Sequence, residues 1–101
     1  MSEYKNYIVC IASDFKGNDF LEECHNQGWH VTLVTKEKLL DEPWFWTSLN
    51  NVKTVANDAK HEDYVRAVTN VAGSQPIHRV VGLDEFDQLT AAAAREHLQI
   101  G

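Results

Sequence analysis

Residues Tyr7 to Ala12 read Tyr-Ile-Val-Cys-Ile-Ala, six apolar residues without a polar interruption. A strand that is apolar on both faces cannot sit at the surface of a two-layer sheet. It belongs at the centre of a parallel sheet, with helices above and below. The residues that follow fit such a setting. Ser13, Asp14 and Gly17 make a turn, and a helix is expected over residues 18–27, with Phe20, Leu21 and Cys24 turned inward. Gly28 is placed to end that helix. Residues 31–35, Val-Thr-Leu-Val-Thr, form a second strand. Strand, helix and strand in this order make a parallel crossover, which is right-handed by strong default.

Sixteen residues separate Thr35 from Val52, far more than the ~2–6 of an ordinary connection. Pro43 forbids one continuous helix there, so irregular chain with one or two helical turns is expected. A half-polar third strand over residues 52–56 reads as an edge strand. A helix over residues 61–72 follows, carried by Tyr64, Val65, Val68 and Ala72, and residues 73–76 turn the chain into a last strand over residues 77–83. That strand breaks at Asp84-Glu85 and gives way to a helix reaching about residue 98. Asp84 serves as its cap, Asp87 adds a second acid in the first turn, and both suit the positive end of the helix dipole. Phe86, Leu89, Ala93 and Ile100 recur at helical spacing, and the alanines at 91–94 leave one side thin enough for close packing on a sheet.

Four strands alternating with helices predict an α/β, Rossmann-like open parallel four-stranded sheet in the order 3-2-1-4, with helices on both faces. The winding then reverses between strands 1 and 4, and ligands in such sheets bind outside the carboxyl ends of the strands at that reversal. The loops concerned are residues 13–18 and 82–85, with the long aromatic loop beside them.

Composition removes several classes of function. The chain of 101 residues reads as one domain, 1–101, and its net charge of −6 comes without any basic block. No nucleic-acid or anionic-membrane partner is expected. No apolar run approaches the ~20 residues of a membrane span, and residues 1–5 are too polar for a signal peptide. Cys10 in an apolar strand and Cys24 in an amphipathic helix read as buried reduced thiols, hence a cytoplasmic setting. Cys10 is too enclosed to make a thiolate nucleophile. The histidines at 25, 30, 61, 78 and 97 fall on different elements, so no metal site is expected. The loop after strand 1 has a single glycine, and neither GxGxxG nor GxxxxGK[ST] is present. Asp14 and Asp58 invite comparison with phosphoacceptor receiver domains, but the acid pair, fifth strand and lysine of those domains are missing.

What remains is a rim of Ser13, Lys16 and Gly17 facing Asp84 and Glu85, expected to bind substrate. Lys16 and the helix start after Gly17 either meet an anion or form an ordinary surface turn. Capping explains Asp84 and Asp87. Glu85 either receives a substrate ammonium or orders the first loop. The cluster Trp44, Phe45 and Trp46 is either a small core under the long loop or an exposed patch for a partner.

The ending VVGLDEFDQLTAAAAREHLQIG resembles the close of the N-terminal domain of ATP-grasp enzymes: a last strand, a loop with an acid, an Ala-rich helix and a glycine exit. The opening strand, the Lys16-Gly17 loop and GWHVTLVT fit the same pattern. EKLLDEPW resembles the stretch after strand 2 in the biotin-carboxylase-like and carboxylate–amine ligase branch. The resemblance implies a pre-ATP-grasp domain that helps form the substrate side of a cleft, as a piece of a larger ligase. ATP and Mg, the gripping lysines and the metal-binding acids would belong to the downstream ATP-grasp domain of the parent chain. No catalytic residue transfers to this chain, and no cofactor is expected in it. The alternative from a different class is a free-standing small-ligand or partner-binding α/β domain, with a homodimer formed through the aromatic loop.

Overall fold

The structure, a computed structural model, describes residues 4–101, so the signal-peptide reading of the first residues lies partly outside it, on residues 1–3. The described strands form one sheet in the order β3-β2-β1-β4. Every pairing is parallel: β1 (Tyr7–Ala12) lies between β2 (His30–Lys36) and β4 (Arg79–Gly82), and β3 (Asn51–Val55) is the outer neighbour of β2. This is the predicted order. All six residues of β1 are buried, as an apolar strand covered on both faces requires.

Alternation along β1 feeds two cores. Val9 and Ile11 point to one face, together with Val34, Val55 and Val80, under α2 (His61–Ala72) and α3 (Glu85–Leu98). Ile8, Cys10 and Ala12 point to the other, with Val31, Leu33, Leu39 and Trp44, under α1 (Asn18–Asn26) and the long loop. A nine-residue helix is too short to persist alone. Its anchor is Leu21, which is fully buried and supplies about 1.5–3 kcal/mol of hydrophobic burial. The helix ends in a Schellman arrangement. Trp29 N–H donates to the Cys24 carbonyl and Gly28 N–H to that of His25, with Gly28 at φ +87°.

Three packing expectations need correction. Phe20 does not turn inward; it is 42% exposed. Among the described residues α1 is the only α-helix on this face, and β4 lies beyond it with Val81 and Leu83 half-buried, so Phe20 overhangs an open margin. On α3 the stripe Phe86, Leu89 and Ala93 faces solvent, Leu89 at 69% exposure. The buried face is Asp87, Thr90, Ala91 and Ala94. Small residues let α3 approach β4 closely, and Phe86 instead stacks on His61, with ring centroids 4.5 Å apart. Strand β4 is also shorter than expected, although Leu83 N–H still donates to the Ile11 carbonyl beyond its end.

The long loop carries two 3-10 turns, Glu37–Asp41 and Trp46–Ser48. Of its aromatic cluster only Trp44 is buried, with Nε1 donating to the Leu39 carbonyl at 2.9 Å. Phe45 and Trp46 remain exposed. At the outer strand, the Arg95 guanidinium donates to the Val80 carbonyl at 2.8 Å. Among the described residues no helix is long and apolar enough to cross a membrane.

Candidate functional site

The site is assembled at the carboxyl ends of β1, β2 and β4, where three loops meet. Gly17 starts α1 at φ +92°, and a Cβ placed there would lie 2.8 Å from Leu83 Cδ1, so the β1 loop rests directly on the β4 loop. Gly82 allows a still closer approach. Its hypothetical Cβ would lie 2.2 Å from the Asp87 carbonyl carbon, a separation that leaves room for glycine alone. Lys16 Nζ and Asp84 Oδ2 face each other across the two loops at 3.9 Å. Lys16 is more than half exposed, so this pair contributes little to stability.

The aromatic loop is fastened to the same rim. Asn18 donates from Nδ2 to the Pro43 carbonyl at 3.1 Å and accepts the Phe45 N–H on Oδ1 at 2.9 Å. Phe15 packs edge-on against Trp44, centroids 4.9 Å apart. On the far side of the loop, Asn57 Oδ1 accepts from Lys38 N–H. The long loop therefore stands beside the switch point.

The group that ties β1 to α3 is Asp87. Its carboxylate is almost wholly buried, and Oδ2 accepts the Ser13 N–H at 2.9 Å. Its other oxygen, Oδ1, is buried without a hydrogen-bond partner among the described residues, as is the hydroxyl of Tyr64. Burial raises the Asp87 carboxyl above its ordinary range; hydrogen bonds from the Ser13 amide and side chain oppose the rise, Asp84 adds to it, and Lys36 opposes it. The Tyr64 phenol is pushed up to about 12, chiefly by burial and then by the negative charges of Asp87, Asp63 and Asp84. His61 Nδ1 is hydrogen-bonded to Thr90 Oγ1, which pins the start of α2 to α3 just below this pair.

Ser13, Lys16, Gly17 and Asp84 thus adjoin one another as the sequence places them. Asp84 caps α3, accepting the Asp87 N–H at 3.3 Å. Glu85 projects into solvent as the first residue of α3, and its carboxylate makes no hydrogen bond or ion pair among the described residues. Ordering the first loop is the work of Asp87, which sequence reasoning treated as a capping acid. The signal for its burial was present: positions 87, 91 and 94 share a helix face with small residues. Asn18 was missed as the clamp of the long loop. Among the described residues no group of three or more His, Cys, Asp or Glu is arranged to hold a metal ion. Chemically, the rim offers an exposed ammonium, the amide end of α1 and two carboxylates, a set suited to binding a charged small molecule.

No protein-family model matches the chain, and no curated protein matches its sequence. Solved structures do match. An L-amino acid ligase from Bacillus licheniformis superposes with a TM-score of 0.76 at 17% identity, over 99% of this chain and 25% of that one. A family 9 glycosyl transferase from Veillonella parvula superposes with a TM-score of 0.62 at 14% identity, over 99% of this chain and 31% of the other. At such identities the likeness is one of fold. The chain spans a third or less of the length of either structure.

Proposed function

We propose that the chain is a non-catalytic domain of an ATP-dependent ligase, the N-terminal pre-ATP-grasp type domain of a biotin-carboxylase-like or carboxylate–amine ligase, forming the substrate side of its cleft. The observation that carries this reading is the superposition of nearly the whole chain on a quarter-length part of an L-amino acid ligase. The sequence resemblance of its last strand, acidic loop and Ala-rich helix points the same way. The ligase overlap is closer than that with the glycosyl transferase.

In this reading the rim of Ser13, Lys16, Gly17, Asp84 and Glu85 faces the cleft of the complete enzyme. Lys16 and the amide end of α1 attract a substrate carboxylate, and the free Glu85 carboxylate attracts an ammonium. Asp87 holds the Ser13 backbone in place without touching substrate. ATP and Mg bind in the downstream catalytic domain, where the carboxylate is activated as an acyl phosphate and passed to an amine. Both cysteines are free and buried, and burial raises both thiols, which is in keeping with a reducing, cytoplasmic setting.

Calorimetry on the 101-residue chain tests this directly. No Mg-ATP binding of useful affinity is expected, and tight stoichiometric binding overturns the reading. The native protein from its source should have an intact mass several-fold above 11.5 kDa; a mass at that value also overturns it.

A further inference from the structure

An apolar surface runs from the rim along the α1 side of β4. Val81 and Leu83 are half-buried there, and Phe20 stands over them, 42% exposed. Two hollows of about 300 and 260 Å³ both have Phe20 and Val81 in their walls, so they form one groove running the length of the strand. One end of the groove carries Glu23 and Arg79. The other is closed by Gly17 and Leu83, whose chain neighbours Lys16 and Asp84 form the ion pair at 3.9 Å.

We propose that this groove is a self-association surface, filled by a second copy of the chain related by a twofold axis near Phe20 and Val81. Each end of the groove has one acid and one base. A twofold axis lays the Glu23–Arg79 end of one copy over the Lys16–Asp84 end of the other. Glu23 then faces Lys16 and Arg79 faces Asp84, twice over, around two Phe20 rings buried in the opposite grooves. Self-complementarity of this kind is what an isologous contact requires. Pairing of two β4 edges is the less favourable mode, because Arg95 already occupies the Val80 carbonyl. The contact shares Lys16 and Asp84 with the rim assigned to the ligase cleft, so it describes the chain with that rim free; its test reads association and not ATP binding, so the two readings fail separately.

Sedimentation equilibrium of the full chain at low ionic strength, from low to high micromolar concentration, provides the test. The mass is expected to rise from 11.5 kDa toward twice that value. Phe20→Glu, at an exposed position, should keep the wild-type circular dichroism spectrum and remain monomeric throughout. Glu23→Lys should weaken association by roughly tenfold or more through like-charge contact, and adding Lys16→Glu should restore it. A wild-type chain monomeric across the whole range overturns the proposal. So does a Phe20→Glu chain that associates like wild type, or a charge swap that fails to recover association.

Discussion

Replacing Gly82 with alanine places a methyl group 2.2 Å from the carbonyl carbon of Asp87, 2.3 Å from its oxygen and 2.4 Å from the nitrogen of Gln88. Real Cβ atoms essentially never come within 3.0 Å of such neighbours. The atoms met are helix backbone, which cannot rotate aside as a side chain does, so α3 must retreat by about 0.8 Å from β4. That retreat loosens the contacts of Thr90, Ala91 and Ala94 and pulls Asp87 from the Ser13 amide. Overpacking typically costs 1–3 kcal/mol, and a clash with backbone belongs at or above the upper end, about 3 kcal/mol. For a chain of this size the melting temperature falls by roughly 12–20 °C. With an m-value of roughly 1–1.5 kcal/mol/M, the urea midpoint falls by about 2 M or more. Urea denaturation followed by tryptophan fluorescence reads this out, and two other glycines calibrate it. Gly28→Ala meets nothing within 4 Å and suffers only its left-handed backbone at φ +87°, about 1 kcal/mol. Gly17→Ala combines φ +92° with a contact to the movable Leu83 side chain and falls between, at about 2 kcal/mol. A Gly82→Ala chain within about 1 kcal/mol of wild type, or more stable than Gly28→Ala, refutes the reasoning.

Further predictions concern the rim. Because burial raises the folded-state Asp87 carboxyl above its ordinary value of 3.8, the folded chain binds that proton more tightly than the unfolded one. Its contribution to stability is therefore greatest below 3.8 and is lost as pH rises through the elevated folded value. Asp87→Asn, which retains an acceptor for Ser13 N–H, should remove this dependence. Denaturation midpoints of the two proteins should diverge in the variant's favour as pH climbs from 3.8; parallel curves contradict the assignment. Asn18→Ala deletes both clamps on the aromatic loop and should cost about 1–3 kcal/mol. It should also speed proteolysis within residues 40–50; cleavage at the wild-type rate would show that the loop is held by Trp44 alone.

The strand order was legible because β1 is apolar on both faces, and only a central strand under two layers of helix satisfies that pattern. The position of the rim followed from the topology. The inward face of α3 was not legible in the same way. Counting apolar residues selects Phe86, Leu89 and Ala93, whereas the sheet selects whatever permits the closest approach, and that is the side of Asp87, Thr90, Ala91 and Ala94. Helical spacing fits both stripes equally, so the decision lies with Gly82 on another element. Phe20 misled for a related reason: an aromatic residue beside Leu21 reads as core unless the strand beneath it is known to lie at an open margin. Asn18 leaves no periodic trace at all, since its partners lie 25 and 27 positions along the chain.

The guanidinium of Arg95, seated on the Val80 carbonyl, limits how far hydrogen bonding can spread sideways from this molecule. A four-residue outer strand with a free backbone row invites endless addition of like segments, the first step toward fibrils. With one acceptor on that row already engaged by a bulky cation, an incoming peptide must evict the arginine before it can register. The molecule can therefore keep an oily flank for docking without also becoming a seed for cross-β growth.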